Sequence, residues 1–212
     1  MQKAILFGLA VLLGGAISWA QDYSHSIFWK GKYEVYQFNL GEDKGSVAHH
    51  ADEWKSDYDL YQNQSGLVRL ELTHMNRNRS IEGPLDIQIT DYRQGVGWVW
   101  DKGSTLAIKG PLRSPSGGKS LGTRQIIGLT CEGKEYEWTT FQQAKVDLQS
   151  WSAQETNFKL PLLRVRYVTD SAGVLSALIV EVVTKLEPTT ALPESLFEVP
   201  AGLQFNLVRS IE

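Results

Sequence analysis

From Lys32 onward, apolar and polar side chains alternate with a period of two, and this alternation limits the chain to extended segments. Val68, Leu70 and Leu72 alternate with Arg69, Glu71 and Thr73; Leu85, Ile87 and Ile89 with Asp86, Gln88 and Thr90; Leu163, Val165 and Tyr167 with Arg164 and Arg166. Each run reads as a strand with one wet face. Turn residues separate such runs at Gln62 to Gly66, Asp91 to Gly95, Asp101 to Ser104, Cys131 to Lys134 and Asp170 to Gly173, the spacing of consecutive hairpins. The simplest chain order is a meander.

Reading outward from the turns predicts strands at Lys32 to Leu40, Ser46 to Trp54, Asp57 to Gln62, Leu67 to His74, Leu85 to Asp91 and Gly97 to Asp101. Further strands are predicted at Thr105 to Lys109, Thr123 to Cys131, Lys134 to Thr140, Leu162 to Thr169, Val174 to Lys185 and Gln204 to Val208. Val174 to Lys185 is apolar on both faces, as a central, doubly covered strand would be. Helical spacing is scarce: Phe141, Ala144 and Leu148 suggest a two-turn helix, and Pro193 to Phe197 one short turn. Gly110 to Ser120, rich in Gly, Pro and Ser, reads as a mobile loop, either a hairpin connection with no task of its own or a cover over an opening. A sheet this large must bury one face. The expected fold is therefore mainly β, an antiparallel meander curled into a half-open barrel with little helix.

The first twenty residues read as a cleavable secretory signal: Lys3, an apolar run from Ala4 to Ile17, then Ser18-Trp19-Ala20 with small residues where signal peptidase needs them. That run is shorter than the roughly 18 to 20 residues a spanning helix requires. The mature chain would be residues 21–212, one β-rich domain of 192 residues (212 minus 20), with no integral membrane segment after processing and a periplasmic or secreted location. The signal holds one of 21 basic residues and none of the 24 acidic ones, leaving a net charge of 20 minus 24, or −4. An acidic chain lacks the field that a nucleic-acid partner requires. Cys131 is the single cysteine, so no internal disulfide is available and it reads as a small buried hydrophobe.

Chemistry-bearing patterns are sparse. His49-His50-Ala51-Asp52-Glu53 is the densest group of metal-ligating types, but adjacent histidines on a strand point to opposite faces and do not converge on one ion. No nucleophile elbow is read: Gly118-Lys119-Ser120-Leu121-Gly122 has the Gly-x-Ser-x-Gly spacing, but it and Ser116 lie in or beside the Gly-, Pro- and Ser-rich loop, without the strand-to-helix setting of a nucleophile. Glu135 and Glu137 share a strand face opposite Tyr136 and Trp138, the usual arrangement of a wet sheet side. No phosphate-binding glycine loop occurs. No catalytic or metal-ligating residue is assigned, and no cofactor is expected. Large rings at alternate positions remain: Trp98 with Trp100, Tyr36 with Phe38, and Tyr136 with Trp138. They fill a core layer or line an apolar ligand site, and Trp98, Trp100, Tyr36, Phe38 and Trp138 are the candidate ligand-binding residues.

Leu121 to Leu129, Tyr167 to Gly173 and Leu196 to Gly202 resemble, in type and order, a set of uncharacterised exported bacterial proteins. Leu60 to Arg69 and Gly97 to Asp101 look like earlier hairpins of that family. The Phe197-Glu198-Val199-Pro200-Ala201-Gly202 ending and the meander are also distantly similar to the periplasmic lipoprotein-carrier superfamily. That resemblance implies a half-open β-barrel around an apolar cavity. The chain departs from the carriers in its sparse helical signal, and no functional residue carries over. The expected function is a non-enzymatic envelope protein binding an apolar ligand or lipidated partner in a concave sheet face. The alternative is a protein–protein interaction module of the envelope, or a hydrolase built on the histidines.

Overall fold

The computed structural model describes residues 28–39, 52–75, 86–113, 116–140, 142–154 and 156–209. The predicted signal, His25, His49 and His50 lie outside the described residues. The described strands are β1 (Phe28–Asn39), β2 (Asp52–Gln62), β3 (Leu67–Met75), β4 (Ile87–Asp91), β5 (Val96–Trp100) and β6 (Leu106–Pro111). They continue as β7 (Lys119–Ile126), β8 (Leu129–Thr139), β9 (Lys145–Ala153), β10 (Leu163–Thr169), β11 (Leu175–Thr189) and β12 (Gln204–Leu207). Glu194–Phe197 forms a short 3-10 turn, as expected. No helix among the described residues is long and apolar enough to cross a membrane.

All twelve strands form one sheet in the order β12-β6-β5-β4-β3-β2-β1-β11-β10-β9-β8-β7. Two antiparallel meanders, β1 to β6 and β7 to β11, meet where β1 pairs with β11, and β12 adds in parallel to β6. The sheet is not closed, so the curled, half-open meander is as expected. Its curl follows from chain length. β6 and β7 are ten strand spacings apart in the sheet order, roughly 48 Å on a flat sheet. Only residues 112–118 connect them, a reach of roughly 28 Å. The sheet must bend until its two ends approach.

Several predicted boundaries move. Cys131 to Lys134 is no turn but the middle of β8, and the hairpin turns earlier at Ile127 (φ 44°) and Gly128 (φ 82°). Two consecutive positive φ values give the primed turn whose twist matches the flanking strands. Gly133 is small for a packing reason: a Cβ there would sit 2.5 Å from the Trp151 ring. The expected helix on Phe141, Ala144 and Leu148 is instead a tight turn followed by β9, closed by Thr140 N–H to Ala144 O at 2.8 Å. Val146 and Leu148 alternate with Asp147 and Gln149, a period-two signal that the looser helical spacing obscured. Asp52 to Gln62 is one strand rather than two, and the Gly110 to Ser120 loop is shorter because Gly110 and Pro111 belong to β6 and Lys119 and Ser120 to β7.

Strand register divides the side chains between two faces. Trp29, Tyr33, Val35, Tyr58, Leu60 and Val68 share the first; Ile87, Ile89, Trp98 and Trp100 share the second. On the first face, Trp29, Tyr33, Leu60 and Val68 pack with Phe158, Leu160 and Leu162 into the main core. The 154–162 segment is fixed there by Trp29 Nε1 donating to Asn157 Oδ1 at 2.6 Å, Gln62 Nε2 donating to Asn157 O at 2.9 Å, and Lys159 N–H donating to Gln62 Oε1 at 2.7 Å. On the second face a smaller core of Ile87, Ile89, Trp100 and Ala107 is covered by Val199 and Leu203 of the chain returning to β12. Arg69 Nη1 anchors that returning chain on Leu196 O at 2.9 Å. Covered on both sides, β3 and β4 direct their apolar residues to opposite faces.

Candidate functional site

The first face is the concave one. Tyr92, in the turn between β4 and β5, lies within the electrostatic reach of Arg164 on β10 and Glu181 on β11, although five strand spacings separate β4 from β10. Only a strong curl toward this face brings them together. At the other end of the wall, the β6–β7 connection folds over β8: Gly118 lies against the Tyr136 ring, where a Cβ would come within 2.4 Å, and the Arg113 guanidinium stands 4.6 Å from the Trp138 ring centre. The loop singled out from its Gly, Pro and Ser content therefore crosses the concave side.

Along the strands this wall changes character. Its base, around Trp29, Leu60, Leu162 and Val183, is sealed by the protein's own side chains. Above the base is a polar layer. Tyr33 Oη donates to Glu181 Oε1 at 2.8 Å, while Arg164 Nη2 donates to the same carboxylate oxygen at 2.8 Å and to Tyr33 Oη at 3.0 Å. Arg166 Nη2 lies 3.7 Å from Glu181 Oε2. These side chains keep 21 % (Arg164), 14 % (Arg166) and 12 % (Glu181) exposure, so the layer is not sealed. Val35 stands within this layer, opposite Glu181; further along, Ile179 lies level with Arg166 and the buried Leu148, and Val168 and Trp138 flank the buried Val146, and Val35, Ile179, Val168 and Trp138 are all half-buried.

Burial sets the electrostatics of the polar layer. It pushes the Tyr33 phenol well above its ordinary range, and the Glu181 charge adds to that rise while Arg164 opposes it. Burial also raises Tyr92, with Arg164 lowering and Glu181 raising it. For Arg164 burial alone would lower the pKa, but the charge of Glu181 and the neighbouring Tyr33 and Tyr92 outweigh it and hold the guanidinium charged. Arg164 and Arg166 thus gather on the Glu181 carboxylate, to which Tyr33 also donates.

The structure distributes the five aromatic candidates over both faces. Trp98 and Trp100 are on the convex face, Trp100 inside the smaller core and Trp98 half-buried with Lys109 5.6 Å from its ring centre. Tyr36 and Phe38 are also convex. Tyr36 hydrogen-bonds to Glu34, and the Lys55 ammonium, 3.0 Å from Glu34 and 3.0 Å from Asp57, stands 5.3 Å from the ring centre. Phe38 faces Leu178 across the strand pair. Trp138 alone of the five lies on the concave wall, its indole N–H buried without an acceptor among the described residues. Sequence reasoning missed Arg164, Arg166 and Glu181, having read the arginines as a wet strand face. The available signal was a glutamate within the apolar β11 run beside two arginines on the neighbouring strand.

No family model matches the sequence, and no curated protein matches it. Among solved structures, the chain is similar to an uncharacterized conserved protein from Thermus thermophilus, with 13 % identity, 87 % of this chain and 93 % of that chain covered, and a TM-score of 0.45. It is also similar to a DUF1329 family protein from Desulfovibrio piger, with 12 % identity, 95 % and 98 % coverage, and a TM-score of 0.41.

Proposed function

We propose that this is an exported, non-enzymatic envelope protein that binds an apolar ligand or a lipidated partner along the upper part of its concave wall. The observation that carries the reading is the contrast in burial along one wall: Leu60 and Val183 are sealed at the base, whereas Val35 and Ile179 beside the charged side chains, and Val168 and Trp138 beyond them, stay half-buried. Apolar side chains left partly open on a concave surface are the common lining of ligand sites. Export rests on the Lys3, Ala4 to Ile17 and Ser18-Trp19-Ala20 pattern. The test is to express the full sequence, recover the secreted form, and titrate it with N-phenyl-1-naphthylamine. Saturable fluorescence enhancement that falls in Trp138→Ala, with the far-ultraviolet spectrum unchanged, is the expected result. No enhancement, together with extracts free of lipid by native mass spectrometry, would overturn the reading.

A second reading, as an interaction module, is favoured by one sheet edge. β12 carries no charge from Gln204 to Leu207 and exposes Leu207 at 79 % and Phe205 at 42 %. The opposite edge, β7, carries Lys119, Arg124 and a register shift between Ser120 and Gly122, devices that discourage edge pairing. Cross-linking from Asn206→Cys would favour this reading if it captured one envelope partner and the dye did not bind.

A further inference from the structure

The exposed large apolar side chains among the described residues are Leu106, Phe205, Leu207 and Val208, and they gather at one corner of the sheet. Phe205 and Leu207 are on β12, Val208 follows it directly, and Leu106 lies beside Gln204 on β6. An apolar group of this kind on an open strand edge marks a contact surface. Two of these side chains extend packed rows of the convex face. Phe205 continues the row of Ile87, Trp100 and Ala107, and Leu207 that of Ile89, Trp98 and Lys109.

The backbone of the same strand is paired on one side only. Gln204 N–H donates to Thr105 O at 2.8 Å and Val208 N–H donates to Lys109 O at 3.0 Å, so the even-numbered residues turn their peptide groups toward β6. Alternation turns those of Phe205 and Leu207 to the outside, where β12 ends the sheet order with no further strand.

These outward groups are symmetric about Asn206. A second copy laid antiparallel, with a two-fold axis between the two Asn206 residues, sets Phe205 of each opposite Leu207 of the other copy, and each such pair exchanges both backbone hydrogen bonds. Because that axis is normal to the sheet, Phe205 and Leu207 of both copies fall on the convex side and touch as cross-strand neighbours. No like charges meet: Leu203 to Val208 carries none, and Arg209 falls opposite Leu203 of the other copy. Head-to-tail joining of β12 to β7 would instead meet Lys119, Arg124 and the register shift between Ser120 and Gly122, and would grow as an open filament rather than close as a pair.

We infer that this edge is an interface between two copies of the chain, β12 against β12, held by the outward backbone groups and the apolar contacts of Phe205 and Leu207. Such pairing supplies a partner for the interaction reading of β12, on which it rests, and is independent of what the concave wall binds. A strand of 4 residues makes a small interface, so the pair is transient rather than obligate.

The secreted form, sedimented at concentrations from about 5 µM to about 1 mM, should rise in average mass from one chain toward two. Leu207→Lys, at a position 79 % exposed, should keep the far-ultraviolet spectrum and move association at least about tenfold higher in concentration, since a lysine on an open edge discourages pairing. In a glutathione redox buffer, Asn206→Cys should link to itself at least about tenfold faster than Gln204→Cys, because the register sets the first opposite its own counterpart and the second opposite Val208 of the other copy. Wild type, whose Cys131 is buried, is the control. An average mass that stays at one chain up to about 1 mM overturns the inference, as does association unchanged in folded Leu207→Lys or equal linking by the two cysteine variants. A chain that stays single while Asn206→Cys captures an envelope protein also overturns it but keeps the interaction reading. A chain that stays single, captures nothing and cosediments with vesicles of phosphatidylethanolamine and phosphatidylglycerol removes both.

Discussion

The base and the upper part of the concave wall are built from the same strands, yet one behaves as a protein core and the other as a surface. At the base, Trp29, Leu60 and Val68 meet Phe158 and Leu160 from the 154–162 segment, and little surface is left for solvent. A few residues further along, the same face carries Val35 and Gln37 on β1 and Arg164, Arg166 and Val168 on β10, and Val35 and Val168 remain half-buried. The Arg164, Glu181 and Tyr33 layer stands between the two. The base is apolar and covered by a described segment, whereas the upper part mixes apolar with charged side chains that keep some exposure, so removing atoms should cost stability at the base and ligand uptake above it.

The largest separation is expected from truncating one apolar side chain in each half. Leu60→Ala at the sealed base should cost about 2 to 5 kcal/mol, as buried leucines do when they leave a cavity. Val35→Ala, half open, should cost about 1 kcal/mol or less. Urea unfolding of both variants measures the difference, and equal losses would break the distinction.

Packing behind the base is tested by Gly133→Ala, whose new methyl would lie 2.5 Å from the Trp151 ring. Overpacking of that kind should cost about 1 to 3 kcal/mol, visible as a lower denaturation midpoint. A neutral outcome would mean that Trp151 has room to move.

Cys131, in the same packed region, provides a pH test. Burial is the main cause that pushes its thiol from 9.0 up to about 11, with Arg124 opposing. Between those values the unfolded chain gives up its proton before the folded one does. The contribution is therefore intact below pH 9 and lost as pH rises toward 11, by roughly 1 to 3 kcal/mol. Stability of the wild type should fall across that window more than that of Cys131→Ala. Native protein at pH 8 should resist iodoacetamide; rapid alkylation would show the packing behind the base to be open.

The smallest effect is expected at the upper rim, where Gln143 holds a positive φ of 63° in the turn before β9 and is exposed. Gln143→Gly relieves the left-handed strain at some cost in chain entropy and should stabilise by about 0.5 kcal/mol. Ligand uptake should not change, since the Gln143 side chain is exposed.

Much of the strand order was legible in the sequence because alternation and glycine act locally. Leu67 to His74 and Leu162 to Thr169 match β3 and β10 within a residue or so, since a glycine with positive φ sets the turn at one end of each run, Gly66 before β3 and Gly173 after β10. Gly133 misled because a glycine in mid-strand looks the same as one in a turn until Trp151 is seen across it. β9 was missed because Phe141, Ala144 and Leu148 also fit a loose helical spacing. Of the candidate site, Trp138 and the crossing loop were found, while Arg164, Arg166 and Glu181 were not.

What the sequence determined alone is which segments are extended and which side chains share a face, because a period of two depends only on neighbouring backbone geometry. Which face turns inward was decided by tertiary structure. Val68 points into the concave core while Ile89, on the next strand, points out beneath Val199, and both choices follow from segments distant in the chain. A polar residue within an alternating strand carries no mark of whether water or a curled sheet will meet it, and that is why Arg164 and Arg166 became visible only once β10 and β11 were seen on the inside of the bend.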